Sequence, residues 1–197
     1  MNSLRSDLDR RPVIVAVAGP NGAGKTTFYY SELQAAGLRF VNADQIAREL
    51  ELDAYAAARV ASDIREILVA HRESFVFETV FSDPAGEKLA FLRRAADSGY
   101  NVILCFIGTS SAAVSAERVA MRVLQGGHDV PPEKLVERYP RILANLKTAL
   151  TELPNVWVFD NSDLRKPHRL VAVTRNGRIE ERMPLTPKWL ARVLPRT

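Results

Sequence analysis

One cysteine stands in 197 residues, so no intrachain disulfide framework is available and the chain is compatible with a reducing cytosol. Cys105 sits inside the apolar run NVILCFIG and reads as a small hydrophobe within a strand. No apolar run approaches the roughly 20 residues needed to cross a bilayer. Aromatic residues are few, at 8%, and charge of one sign is lacking too: 27 Lys and Arg face 23 Asp and Glu, a net charge of +4. Without a basic stripe interleaved with aromatics, a nucleic-acid-binding surface is disfavoured, while the mild basic excess suits a phosphate-bearing ligand. The N-terminal MNSLRSDLDRRP is polar and lacks the apolar core of a secretory signal, so the expectation is a flexible lead-in over residues 1–12 and a cytoplasmic protein. What remains is 47% apolar and 25% charged, ordinary for a globular chain, and its length suits one domain over 13–197.

The order of elements is legible from periodicity. VIVAVAG at 13–19 is a continuous apolar run ended by a Gly-rich turn, the pattern of a buried parallel strand. A helix is expected over about 25–36, then a short strand RFV and a helix begun by NADQIAREL, with Asn42 as cap and Gln45 three residues on. A long amphipathic helix is expected over about 53–71, a strand SFVFETV, and a helix capped by Asp83 with Pro84 in its first turn and Gly99 as its stop. NVILCFIG gives the next strand, followed by helices over about 112–125 and from Pro131–Pro132 to about 151, and by the strand NVWVFD. Asn176–Gly177 between two alternating runs marks a hairpin, and TPKWLARVL a terminal helix capped by Thr186. Five apolar strands alternating with helices imply an α/β fold. The expected sheet is mainly parallel and five-stranded, with the hairpin and helix of about 168–195 as an appendage.

The clearest motif is GPNGAGKTT, residues 19–27, which satisfies G-x-x-x-x-G-K-[ST] between a strand and a helix. In such a loop the glycines let successive backbone N–H groups turn inward, and the following helix adds positive potential for an anion. The candidate nucleotide-binding set is Gly19, Pro20, Asn21, Gly22, Ala23, Gly24, Lys25, Thr26 and Thr27, with Lys25 reaching the terminal phosphates and Thr26 holding Mg²⁺.

In open α/β sheets ligands sit beyond the carboxyl ends of the strands. Residues there include Asp44, Glu78, Thr79, Thr109, Ser110 and Asp160. Two readings stand for Asp44, a general base for an acceptor hydroxyl or an acid favoured by its helix dipole. Glu78 closes a Phe- and Val-rich strand, where it holds Mg²⁺ through water, holds a substrate hydroxyl, or pairs structurally with a helix N-terminus. Asp160 is read first as a turn-initiating residue and second, with Asn161, as a metal-binding strand end. Arg118 and Arg122 share one helix face, Arg138 and Arg141 another, and Gly126–Gly127–His128 makes the corner between them. These helices, about 112–151, read as an arginine lid over phosphates, against the alternative of a solvated charged face.

A small-molecule kinase needs a phosphate loop, a base and such a lid, and all three have candidates. A switch GTPase would carry Asn-Lys-x-Asp, which is absent. LQGGH faintly echoes the signature of transporter-type ATPases, but a Pro-opened helix follows it here. A nucleotide-binding ATPase or regulatory module without an acceptor is the remaining alternative. GPNGAGKTT, VNADQIA, FETVFS and RVLQGGHDVPPEKLVERYPRILANL, in this order, resemble the zeta toxin family of P-loop kinases, in its short stand-alone branch, over about residues 13–161. The resemblance implies phosphotransfer from ATP with Mg²⁺ to a hydroxyl of a nucleotide-sugar such as UDP-N-acetylglucosamine, and an antitoxin protein as partner. It implies a three-layer fold of the P-loop NTPase and kinase kind and Asp44 as base, with Lys25, Arg122 and Arg138 completing the catalytic set. Glu78, Thr79, Arg118, His128 and Arg141 fall on the substrate side.

Overall fold

The computed structural model describes residues 2–124 and 130–195. Helix α1 (Asn2–Leu8) precedes strand β1 (Val13–Ala18), which ends at the phosphate loop. Helix α2 (Lys25–Phe28) continues without interruption through a π-helical turn (Tyr29–Leu33) and a 3₁₀ turn (Gln34–Ala36) to Gly37, whose φ of +65° ends it. Then come β2 (Arg39–Val41), α3 (Ala43–Glu49), α4 (Ala54–Ala70), β3 (Phe75–Thr79), α5 (Glu87–Asp97) and β4 (Asn101–Gly108). Helices α6 (Ala112–Leu124) and α7 (Pro132–Glu152), strands β5 (Asn155–Asp160), β6 (Arg169–Arg175) and β7 (Arg178–Arg182), and α8 (Lys188–Ala191) complete the chain.

The strand order is β2-β3-β1-β4-β5-β6-β7, with the first five parallel. β1 therefore leaves from the middle, between β3 and β4, and the connections diverge to either side of it. That divergence opens a crevice at its carboxyl end. Period-two alternation divides the core between the two faces of the sheet. Ile14, Ala16 and Ala18 join Phe75, Phe77, Leu104 and Phe106 on the face covered by α4, α5, α7 and α8. Val13, Val15 and Val17 join Ile103, Cys105, Trp157 and the α2 residue Phe28 on the other. Among the described residues no helix is long and apolar enough to cross a membrane.

Four expectations are corrected. The sheet has seven strands rather than five, because the Asn176–Gly177 hairpin is no appendage: β6 pairs antiparallel with β5 and extends the sheet. The alternating runs around the turn specify a hairpin, but the edge that receives it is a tertiary matter. The supposed flexible lead-in is helix α1, held down because Leu4 and Leu8, one turn apart, are buried against the sheet. α5 starts at Glu87 after Gly86 at φ +69°, so Asp83 is not its cap, although its Oδ2 still accepts from the Lys88 amide at 3.2 Å. Pro187 rather than Thr186 precedes α8, and the Thr186 hydroxyl donates instead to the Met183 carbonyl at 3.0 Å.

Candidate nucleotide and phosphotransfer site

The loop's shape follows from its glycines. Gly19 has φ +144°, and a Cβ there would lie 2.1 Å from the Ile107 carbonyl oxygen of β4. The strand-to-loop exit thus presses backbone against backbone, which only glycine allows. Gly24 has φ +87°, and a Cβ would meet the Asn161 amide nitrogen at 2.6 Å and His168 Nε2 at 3.3 Å.

Lys25 is 6% exposed; its ammonium donates to the Pro20 carbonyl at 3.1 Å and lies 3.7 Å from Glu78 Oε1. Burial holds its pKa below the usual lysine value; Glu78 and then Asp44 oppose the shift, and Arg122 adds to it. That places Asp44 and Arg122 within electrostatic reach of the lysine, although 19 and 97 residues separate them from it in sequence. Glu78 arrives through strand register, since β3 runs beside β1 with Val17 opposite Glu78. Its Oε2 accepts from the Thr26 hydroxyl at 2.7 Å and from Asn42 Nδ2 at 3.0 Å. Asn42 also caps α3, accepting from the Gln45 amide at 3.0 Å, and so fixes Asp44 in the first turn with its side chain exposed. A threonine hydroxyl beside a carboxylate is the hard-oxygen donor set that Mg²⁺ prefers. Among the described residues no group of three or more His, Cys, Asp or Glu side chains could hold a metal by itself.

The other candidates bond to different partners. Thr79 Oγ1 accepts from the Phe81 amide at 3.2 Å, shaping the strand exit. Arg118 donates to the carbonyls of Asn161 at 2.7 Å and Ser162 at 3.1 Å, tying α6 to the β5–β6 connection. Arg138 is half-buried on α7, and Arg141 pairs with Glu137 at 3.1 Å. His128 lies outside the described residues. Helices α6 and α7 are anchored at the end of β4. Tyr139 donates to the Thr109 carbonyl at 2.6 Å, and the Thr109 and Ser115 hydroxyls are 3.1 Å apart. Pro140 lies inside α7 just beyond Tyr139, leaving one carbonyl of the preceding turn without its helical donor. Asp160 accepts from Ser162 Oγ at 2.6 Å and Trp189 Nε1 at 3.0 Å and pairs with Arg169 at 3.2 Å.

Three polar contacts to this site were not foreseen. The sequence offers Asn42 only as a cap and Asn161 only beside Asp160 at a strand end, and His168 carries no local signal; Asn161 Nδ2 donates to the Ala23 carbonyl at 2.8 Å, and His168 Nε2 lies 3.2 Å from the Gly24 carbonyl.

A parallel sheet ordered 2-3-1-4-5, a glycine loop leaving its central strand and a buried lysine at the helix start define a P-loop, kinase-like fold. The zeta toxin family model matches residues 39–169, more than half of the chain, and the protein belongs to that family. No curated protein matches the sequence. Among solved structures, a chain of the AvrRxo1-ORF1:AvrRxo1-ORF2 complex superposes with a TM-score of 0.64 at 18% identity, over 98% of this chain. This chain spans 66% of the length of that one, less than two thirds. A chain of the PezAT toxin–antitoxin system of Streptococcus pneumoniae gives 0.62 at 16% identity, over 87% of this chain and 78% of its own. A putative kinase from Chloroflexus aurantiacus gives 0.57 at 19% identity, over 80% and 92%.

Proposed function

We propose that residues 13–197 form a single cytoplasmic kinase domain that moves the γ-phosphoryl group of ATP to a hydroxyl of a nucleotide-sugar such as UDP-N-acetylglucosamine. The observation that carries the reading is the contact of Glu78 with both Lys25 and Thr26 of one phosphate loop, with Asp44 and Arg122 within electrostatic reach of the lysine. Membership of the zeta toxin family and the ATP-bound form of the AvrRxo1-ORF1:-ORF2 complex support the nucleotide. The PezAT likeness supports an antitoxin as protein partner.

ATP lies with its phosphates on residues 19–27, where Lys25 offsets their charge. Thr26 and Glu78 are the residues that would hold Mg²⁺, which on binding supplies charge neutralisation and orients the phosphates. Glu78, which the family resemblance puts on the substrate side, is read here in its other role, on the metal side, and Arg118 is read as a brace for the nucleotide wall. Asp44 accepts the proton of the acceptor hydroxyl as that oxygen bonds to the γ-phosphorus and the bond to the β-bridging oxygen breaks, releasing ADP. Arg122 and, from α7, Arg138 stabilise the charge spreading over the transferring group. Thr79, Arg141 and His128 keep an acceptor-side role on family likeness.

The test is transfer from labelled ATP with Mg²⁺, with and without UDP-N-acetylglucosamine, products being resolved by mass. The wild type yields a phosphorylated nucleotide-sugar. Asp44→Asn lowers turnover by about 10²- to 10⁴-fold while ATP affinity stays near wild type. Retained turnover refutes the base, and wild-type protein that binds no ATP refutes the whole reading.

A further inference from the structure

We infer that Asn161 and His168 are positioning residues of the phosphate loop, which hold two of its peptides so that their amides face the anion. The inference rests on the nucleotide reading above and adds to it which side chains set the loop.

The argument starts from the planar peptide. In a trans peptide the carbonyl and the following amide point in opposite directions, so an atom that holds the carbonyl aims the N–H. The peptides Ala23–Gly24 and Gly24–Lys25 are both trans. The Ala23 carbonyl is held from outside the loop by Asn161 Nδ2 at 2.8 Å. The Gly24 carbonyl takes its helical bond from the Phe28 amide at 2.9 Å and lies 3.2 Å from His168 Nε2. The opposite ends of these two peptides are the Gly24 and Lys25 amides, at the start of the helix where the motif places its anion. Without Asn161 the Ala23 carbonyl loses the partner that turns it away from the anion, and without His168 the Gly24 carbonyl keeps only its helical bond to the Phe28 amide.

The two side chains are themselves held. Asn161 is 4% exposed and has every polar group engaged. Its amide donates to the Gly108 carbonyl at 2.8 Å, its carbonyl accepts from Arg118 at 2.7 Å, and its Oδ1 accepts from the His168 amide at 3.3 Å. That leaves Nδ2 one direction, toward Ala23. His168 packs edge-on against Phe28 at 5.3 Å between ring centroids. Burial lowers its pKa, which keeps the ring neutral, and a neutral ring whose Nε2 carries the proton donates to Gly24. Gly24 is the complement: the space its missing Cβ leaves is where the Asn161 amide lies, 2.6 Å from the Cβ position. The conserved chemistry of a phosphate loop asks for glycine on the anion side; here the same glycine also admits a clamp on the far side.

The experiment measures binding of ATP and of inorganic tripolyphosphate, which has no base or sugar, by calorimetry. The proteins are wild type, Asn161→Ala, His168→Ala and His168→Gln, with unfolding monitored for each. One lost hydrogen bond corresponds to about a 3- to 10-fold weaker affinity, and each alanine variant is expected to lose that much for both ligands. His168→Gln, whose Nε2 reaches a similar place, is expected to bind both near wild type. Three results overturn the inference: alanine variants that bind tripolyphosphate like wild type, whatever their melting temperature; a loss confined to ATP, which makes the pair a nucleoside contact; and no rescue by glutamine. Wild type that binds neither ligand overturns the nucleotide reading as well. Wild type that binds ATP but phosphorylates no acceptor leaves the clamp supported by the binding data and refutes only the acceptor.

Discussion

Asp7→Ala should cost about 3–4 kcal/mol of stability and leave nucleotide binding intact. Asp7 lies at the amino-terminal end of the parallel strands, across the sheet from the phosphate loop. Its carboxylate pairs with the Arg175 guanidinium at 2.6 Å and accepts from Trp157 Nε1 at 3.2 Å, while its main-chain carbonyl accepts from Asn101 Nδ2 at 2.6 Å. The side chains of Asp7 and Arg175 are 10% and 22% exposed, so the pair is largely shielded. Removing one member of a buried pair costs about 3–5 kcal/mol, because the other charge stays behind. Here the lower part of that range applies, since Arg175 keeps Glu180 at 2.9 Å and Asn155 at 2.5 Å and is partly wet. The stranded indole N–H adds up to about 1 kcal/mol without simple additivity. For a chain of this size 1 kcal/mol moves the midpoint by about 2–4 °C, so a fall of roughly 6–16 °C is expected. Circular dichroism melts and urea titration at fixed pH measure it, with ATP affinity as the control. A midpoint within about 2 °C of wild type refutes the claim that α1 is clasped by this pair; lost ATP affinity in a protein that still folds refutes the separation of the two ends.

Two further outcomes are expected. At Gly108 a Cβ would lie 2.2 Å from the Trp189 ring, whose indole N–H holds Asp160, so Gly108→Ala should displace α8; lower stability by about 1–3 kcal/mol together with a shifted tryptophan emission checks this. His168 has its pKa lowered from 6.5 by burial, so above pH 6.5 it is neutral in both states and its share of stability is complete. As pH falls through that value the unfolded chain takes up the proton first, and stability is lost toward the folded pKa. Denaturation midpoints between pH 7.5 and 5 should therefore fall less steeply for His168→Gln than for wild type.

The parts legible in sequence were those written locally. A run such as VIVAVAG followed by G-x-x-x-x-G-K-T carries its own strand, turn and helix, and Asn42 with Gln45 announces the cap of α3, which the geometry shows. The alternation of elements then implied the parallel order. What escaped depended on distant partners. Leu4 and Leu8 look like two apolar residues in a polar tail until the sheet face that buries them is known. Asn161 contacts Ala23 across 138 residues and His168 contacts Gly24 across 144, with no spacing rule to link them. The π-helical turn after α2 accompanies the stacking of Tyr29 on Phe40 at 3.7 Å, again a pairing between separate elements. The site residues show the same division: the loop names itself, while Glu78 reaches Thr26 only because β3 is the strand beside β1.

The seventh strand has a consequence for how the molecule behaves in company. Open sheets end in unpaired backbone that can recruit a strand from another chain. At one border of this sheet lies β7, which exposes Arg178, Glu180 and Arg182 along one side, so an approaching strand meets a row of charges that it must desolvate or match. At the other border β2 is three residues long, too short a template for much pairing, with Arg39 and Glu73 joined at 3.2 Å nearby. The apolar interior strands are shut between a charged margin and a brief one, so the same sheet that positions the phosphate loop gives little hold to edge-to-edge aggregation.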